Sequence, residues 1–416
     1  MKSLKHSNKS VSKKPVLLTR SGWSAIGLAA AVAASSVAMA RANTLYTITE
    51  LPPLATGSGA EAWAINNNSQ VAGWSTAFLG SGTYQAVLWQ NGSVATIGIH
   101  NGTGSVPYGI NDSGQVVGGA GYNNSTSTTS TAFLWQNGMA TTLGTLGGPS
   151  EANAINNNGQ VVGISYDSAG YSHAVLWEDG AVTNLDVGSR SYSEAYGINS
   201  SGEIVGWSAS LYSNNDAIEP TLWQGGTGVA LEMLPQHDSG QARAINNAGQ
   251  VVGWLSSTNN ILPYNQAFLW QNGVTDPLPA LSVGSSTYAY GINRFGQVVG
   301  NSGYSATLWQ HDAVINLNNV IPANSGWLLQ NAASINDKGQ IVGWGQFEGT
   351  REAFLMTPTP EPDTLTLLTL ASLGLFLLKR CGHASFMDNN SSEESQPATK
   401  KLGLFVACSP NRRQIP

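Results

Sequence analysis

Residues 152–163 read Ala152-Asn153-Ala154-Ile155-Asn156-Asn157-Asn158-Gly159-Gln160-Val161-Val162-Gly163. Glu151–Ile155 alternates as a short strand does. Asn156 and Gly159 occupy the first and fourth positions of a type I turn, where Asn and Gly are favoured for their local hydrogen bonding and backbone freedom. Gln160–Gly163 is a second strand, so the stretch predicts a hairpin. The phrase recurs with its Ile-Asn pair at 65–66, 110–111, 155–156, 198–199, 245–246, 292–293 and 335–336, at spacings of 45, 45, 43, 47, 47 and 43. A period near 40–50 residues marks units that cannot bury an apolar face alone and must stack on neighbours.

Outward from the hairpin, His173–Trp177 reads as a third strand, apolar enough to be buried on both faces. Glu178-Asp179-Gly180 supplies a tight turn, replaced by Asn-Gly at 91–92, 137–138 and 272–273. Such dipeptides tolerate positive φ at both turn positions. Ala181–Leu185 is the fourth strand. Four antiparallel strands per repeat predict an all-β chain folded as a seven-bladed β-propeller.

The ends of the array point to closure. The seventh repeat stops after its third strand, Glu352–Met356, and Pro358 follows; an extra strand, Leu45–Leu51, precedes the first repeat. An N-terminal strand that completes the last blade removes the open sheet edge of the ring. A β-solenoid or sandwich array is the competing architecture, and a solenoid would want capping repeats instead.

The Ala-Phe-Leu-Trp-Gln-Asn-Gly, Leu143–Gly148 and Ala-Ile-Asn-x-x-Gly-Gln-Val-Val-Gly phrases resemble the HAF family of bacterial extracellular repeats across residues 45–357. The chain departs from that pattern where the eponymous His survives only at His173, Ser69 takes the turn-Gly position, and Met356 replaces the third-strand Trp. The resemblance implies an extracellular repeat architecture more than an activity.

The termini read as addresses. Residues 1–42 carry a basic stretch, an apolar run from Trp23 to Val37, and Ala38-Met39-Ala40, which is the pattern of a secretory signal peptide. A retained N-terminal membrane helix is the alternative. Residues 358–380 hold Pro360-Glu361-Pro362, an apolar stretch over 364–378, and Lys379-Arg380. That stretch is shorter than the ~20 residues of a spanning helix. The arrangement resembles the PEP-CTERM sorting signal, read by an exosortase in exopolysaccharide-producing Gram-negative bacteria. The resemblance implies recognition at Pro360, Glu361 and Pro362, with Lys379 and Arg380 setting topology. Asp363 follows the motif and 36 residues follow Arg380, a polar tail that reads as disordered. A plain C-terminal membrane anchor competes with the sorting reading, and both put transient or permanent membrane association at 364–378.

Charge narrows the partners. Residues 43–357 hold five basic side chains, Arg190, Arg243, Arg294, Lys338 and Arg351, against nineteen acidic ones, a net −14. Such a surface repels phosphate backbones, so nucleic acid is not an expected partner. It also disfavours a strongly anionic polysaccharide unless cations bridge it. The cysteines, Cys381 and Cys408, lie beyond the repeats, so the repeat region owes its stability to burial. No cysteine–histidine cluster with metal spacing occurs, and no cofactor or metal is expected.

The residues that bear chemistry mostly read as architecture. Trp89, Trp135, Trp177, Trp223, Trp270 and Trp309 recur at blade period, as interblade packing does. Asp167, Glu178, Asp179, Asp186 and Glu194 cluster in the third repeat and read as a solvated turn face, with a glycan-cleaving carboxylate pair as the sharper alternative. The loop between the second and third strands varies in length, yet carries an aromatic in every repeat: Tyr84, Tyr122, Tyr166, Tyr212, Tyr264, Tyr304 and Phe347. Variable loops on a rigid scaffold are where binding concentrates, so these seven are the candidate ligand contacts, beside the alternative of local loop packing. The function expected is a secreted, surface-delivered, non-catalytic binding or matrix component. Its partners would be an exosortase-type enzyme and a neutral glycan or envelope protein. The alternative is a propeller-type glycan hydrolase or lyase.

Overall fold

Six of the seven repeats form their own four-stranded antiparallel sheet with strands in sequence order, as the turn chemistry requires of consecutive hairpins, and the seventh contributes three strands to a sheet of four. The computed structural model describes residues 46–55, 58–76, 83–98, 104–122, 130–186, 190–210, 217–257 and 262–359. The chain divides into two units, Met1–Thr359 and Pro360–Pro416, and every described residue belongs to the first. Blade 3 consists of Gly147–Ile155, Val161–Asp167, Ser172–Glu178 and Ala181–Asn184. Its first strand begins four residues before the expected Glu151, because Gly147 already pairs with Asp167.

The innermost strands of blades 1 to 7 are Ala60–Ile65, Gly104–Ile110, Gly147–Ile155, Arg190–Ile198, Ser239–Ile245, Thr287–Ile292 and Trp327–Ile335. Each ends on the Ile of the repeated phrase, and the Asn turn follows at once. In blade 3 the Gly159 N–H donates to the Asn156 carbonyl at 3.1 Å, and Gly159 takes φ +84°. Ser69 adopts the same left-handed conformation in blade 1, at φ 63°.

The ring closes as expected. Tyr46–Leu51 pairs antiparallel with Thr350–Pro358, Tyr46 opposite Pro358 and Leu51 opposite Ala353. Blade 7 therefore takes its outermost strand from the beginning of the chain, in the order Tyr46–Leu51, Thr350–Pro358, Ile341–Phe347, Trp327–Ile335. A one-turn 3-10 helix, Leu317–Asn319, links blades 6 and 7.

The apolar core is divided among the seams between blades. At one seam Val117 and Ala132 of blade 2 pack against Ala152, Val161, Val175 and Trp177 of blade 3. Leu51, Val342 and Ala353 of blade 7 meet Ala60, Ala62, Val71 and Trp89 of blade 1 in the same way. The repeated tryptophans fill these seams as the period implied. Trp89, Trp177 and Trp309 are buried, and their indole N–H groups donate to the carbonyls of Pro52, Gly144 and Pro279 at 2.8, 2.6 and 2.7 Å. A Trp buries 150–250 Å², about 4–6 kcal/mol of transfer free energy, and the carbonyl partner removes the cost of a buried indole N–H.

The final Gly of each Gly-x-Val-Val-Gly phrase has a separate cause. A Cβ on Gly163 would lie 2.0 Å from the Glu151 carbonyl oxygen, and one on Gly253 would lie 1.9 Å from that of Gln241. The first two strands of each blade approach too closely there for any side chain. The same place in every first strand carries a β-bulge, after Ala62, Pro107, Ala152, Ala195, Ala242, Ala289 and Ala332. Each bulge leaves one residue without an opposite partner: Trp63, Tyr108, Asn153, Tyr196, Arg243, Tyr290 and Ala333. A bulge re-aims the side chain it frees, which is why bulges favour functional sites.

Candidate functional site: the bulge ring and the two faces of the channel

The seven bulge residues lie two positions before the Ile that ends each innermost strand, so they share one level of the ring. All seven are half-buried. Their neighbours in sequence are Ala or Gly in most blades, yet they themselves are two different aromatics, an amide, a guanidinium and a methyl. They contact one another from blade to blade. Trp63 meets Tyr108 edge-on at 5.8 Å between ring centroids. The Asn153 amide donates to the Glu194 carboxylate at 3.0 Å and to the Ala195 carbonyl at 2.9 Å. The Tyr196 hydroxyl donates to the other Glu194 oxygen at 2.9 Å, and the Arg243 guanidinium lies 3.8 Å above the Tyr196 ring. Burial pushes the Tyr290 hydroxyl up, opposed by the neighbouring Arg243 charge and by a hydrogen bond from Asn331.

Blades 7 and 1 add an ion pair between a buried carboxylate and an exposed guanidinium. Glu61 is 4% exposed and paired with Arg351, whose guanidinium stacks 3.8 Å above Trp344. Burial raises the Glu61 carboxyl, while the Arg351 charge and the Trp74 and Trp63 indoles pull it back without cancelling the rise. The Trp63 indole N–H is close enough to favour the charged carboxyl, but no hydrogen bond of good geometry forms.

After the Ile that ends each inner strand, the Asn turns surround a cavity of about 260 Å³ lined by the seven Ile-Asn pairs and the residues after them. Each turn Asn donates its side-chain amide to the main-chain carbonyl of the turn Asn in the next blade: Asn66 to Asn111, then Asn156, Asn199, Asn246, Asn293 and Asn336, and Asn336 back to Asn66, at 2.9–3.3 Å. In blade 3 the Asn156 Oδ1 also accepts from the N–H groups of Asn158 and Gln160, both at 3.0 Å, and its amide reaches Gln160 at 2.6 Å. Every polar atom of that side chain is spent. These asparagines serve turn geometry, as expected, and they also tie each blade to the next.

The described loop aromatics differ in their surroundings. Tyr84 is 40% exposed and packs on Trp74 at 4.4 Å, while Phe347 stacks on Trp327 at 4.9 Å. Tyr166 is half-buried, its hydroxyl pushed up by burial and by Glu194 and Glu151. Tyr264 is half-buried, and Tyr304 is 91% exposed at a tight turn. Tyr122 ends a strand of blade 2; its side chain and the whole of Tyr212 lie outside the described residues, as do Pro360, Glu361, Pro362, Lys379 and Arg380.

The acidic set of the third repeat is not one solvated face. Glu178 accepts from Gln160 at 2.8 Å beside its turn, as expected. Asp186, by contrast, is buried against His173, and Asp167 reaches the other ring nitrogen at 3.3 Å. Burial works to lower the His173 pKa, but its hydrogen bonds to Asp186 and Asp167 and their charges outweigh it, and the net shift is upward. Ser193 donates to Asp186 and accepts from the Ala174 N–H at 2.7 Å. Its hydroxyl is thus directed at a carboxylate and away from the imidazole, unlike a nucleophile activated by a neighbouring base.

The bulge ring was not singled out in the sequence. Its signal was there all the same: the position two before Ile varies as Trp, Tyr, Asn, Tyr, Arg, Tyr and Ala, between a residue that is Ala in six blades and one that is Ala or Gly in six.

No family model matches the chain, and no curated protein does. Solved structures are similar in fold. A puromycin-hydrolyzing peptidase from Mycobacterium tuberculosis aligns at TM-score 0.50 and 11% identity over 73% of this chain and 51% of that one. A puromycin hydrolase complexed with PGG aligns at 0.49 and 12%, over 74% and 55%. TolB from Acinetobacter baumannii aligns at 0.39 and 10%, over 73% and 64%. This chain therefore spans less than two thirds of the length of these structures. At such identities the likeness is one of fold alone.

Proposed function

We propose that this protein is an exported, non-catalytic binding propeller, delivered to the surface of an exopolysaccharide-producing Gram-negative cell, where it holds a glycan in its central channel. The observation that carries this reading is the bulge ring. The bulge position carries Trp, Tyr, Asn, Tyr, Arg, Tyr and Ala from blade 1 to blade 7, and Trp, Tyr, Arg and Asn are side chains that stack on and hydrogen-bond to sugars. The circle of turn asparagines contrasts with it, being the same residue in every blade and bonded from blade to blade. The HAF-like repeats, the signal-peptide pattern and the Pro360-Glu361-Pro362 motif support the export and surface steps.

The purified full-length chain, screened on a glycan array with product analysis of the same glycans, tests the reading. Retention of one glycan class without cleavage supports it. Release of shortened glycans or unsaturated sugars would establish the hydrolase or lyase alternative. Mass spectrometry of the protein from its native envelope tests the sorting step. Peptides from 385–400 in the surface-located form would rule out processing at the Pro-Glu-Pro motif.

A further inference from the structure

The inner wall of the ring differs from blade to blade, and among the described residues blades 4 to 7 carry an arginine with no carboxylate partner and a buried amide oxygen with no hydrogen bond. The first is Arg243. Its guanidinium is fixed over Tyr196, yet among the described residues no carboxylate pairs with it. The nearby Glu194 spends both oxygens on Asn153 and Tyr196. Arg351, the other arginine stacked on an aromatic of this level, is matched by Glu61. A guanidinium with its plane held and its fork of donors free is suited to bidentate capture of a carboxylate.

The second is Asn301. The residue after the final Gly of the hairpin phrase is Trp74, Trp207, Trp254 and Trp344 in blades 1, 4, 5 and 7, but Asn301 in blade 6. Asn301 lies opposite Tyr288, and its Oδ1 is buried with no hydrogen-bond partner. A buried acceptor without a donor is destabilising, a cost that a ligand hydroxyl would remove. Beside these two residues stand Tyr288 and Tyr290, their rings parallel at 6.3 Å, and the Asn331 amide near the Tyr290 hydroxyl. Flat aromatic faces beside amides suit a pyranose, whose C–H faces stack and whose hydroxyls bond.

We propose that this wall binds a pyranose bearing a carboxylate, with the carboxylate on Arg243, the sugar ring against Tyr290 and the hydroxyls on Asn301 and Asn331. The assignment rests on the binding reading above and names its ligand class. The net −14 of residues 43–357 adds a constraint. A continuous polyanion is repelled by that surface, so the recognised acidic sugar is one spaced among neutral ones.

Calorimetric titration of the full chain with methyl glucuronoside, its methyl ester, methyl glucoside and sodium acetate tests the site. The acid should bind about tenfold more tightly than ester and glucoside, the margin of one charge-assisted bidentate contact. Arg243→Gln should erase that margin and leave weak binding of all three sugars, while Arg243→Lys, which keeps the charge without the fork, should retain part of it. Asn301→Leu should weaken acid, ester and glucoside alike. Equal binding of acid and glucoside, no binding of any sugar, or an undiminished margin in Arg243→Gln overturns the assignment. Acetate competing at the concentration of the sugar would mean an adventitious ion only, and overturns it too. Retention of a neutral glycan without preference for the acid sinks this site and spares the binding reading, whereas cleavage of an acidic glycan dependent on Arg243 spares the site and sinks the non-catalytic reading.

Discussion

The side-chain amide of Asn336 donates to the main-chain carbonyl of Asn66 at 3.0 Å, joining the seventh Asn turn to the first across 270 residues of sequence. That bond completes a circle of seven. The outer edge of the same seam is closed independently by Tyr46–Leu51 on Thr350–Pro358. The ring is thus fastened at its inner rim by side chains and at its outer rim by a strand.

Asn336→Ala removes the donor to Asn66 and the acceptor for the Lys338 and Gln340 N–H groups. It should cost about 2–4 kcal/mol, the scale of several buried hydrogen bonds lost together. Asn336→Asp keeps the turn acceptor but replaces the donor by a carboxylate facing a carbonyl, and should be no better. Thermal unfolding of the full chain reads both. An unchanged melting temperature for either variant would show that the circle contributes nothing to closure.

Removing Tyr46–Leu51 should expose the edge of Thr350–Pro358 and open the seam that Leu51 fills with Ala60, Val71 and Trp89. The expected result is a lowered melting temperature together with concentration-dependent association, because an unpaired strand edge recruits another chain. Light scattering alongside calorimetry separates the two effects. A monodisperse variant with the parental melting profile would contradict closure by this strand.

Glu352, in the third strand of blade 7, is buried with its Oε2 unpartnered, and burial together with the Glu50 charge pushes its carboxyl up to about 7. The folded state holds this proton more tightly than the unfolded chain, so stability should fall as pH rises from about 4.5 through 7 and then level off. Glu352→Gln should therefore raise the melting temperature at pH 8 by about 2–4 °C and change little at pH 5. A variant that is stabilised equally at both pH values would show that the carboxyl is not the cause.

His173, held between Asp186 and Asp167, works in the next pH window. Its folded pKa is raised, so the clasp contributes fully below the ordinary imidazole value near 6.5 and is lost as pH rises through the folded value. His173→Gln should be less stable than the parent at pH 5.5, with the gap narrowing towards pH 8.5. Melting curves at the two pH values decide it, and a constant gap would assign His173 a packing role only.

Much of the fold was legible in the sequence. The turn at Asn156–Gly159, the buried strand His173–Trp177 and the extra strand at 45–51 each stand in the order of residues, because turn geometry and two-face burial are local demands. The closure of blade 7 followed from counting strands. The loop aromatics illustrate the limit: each is visible in sequence, but whether Tyr84 packs on Trp74 or Tyr304 stays exposed depends on the neighbouring strand. His173 reads alone as a family relic, and only the fold brings Asp167 and Asp186 to either side of it.

The sequence by itself determined the unit, its number and its closing strand, since period, turn residues and alternation act within a single repeat. Tertiary structure alone decided what the repeats do to one another. A bulge beside Gly163 and its six counterparts turns one residue per blade out of the ladder, and ring geometry then sets Arg243 over Tyr196 and Asn336 against Asn66. Those contacts span 43–47 residues, or 270 at the seam. No local preference encodes them, because they exist only when seven separate sheets are fixed around one axis.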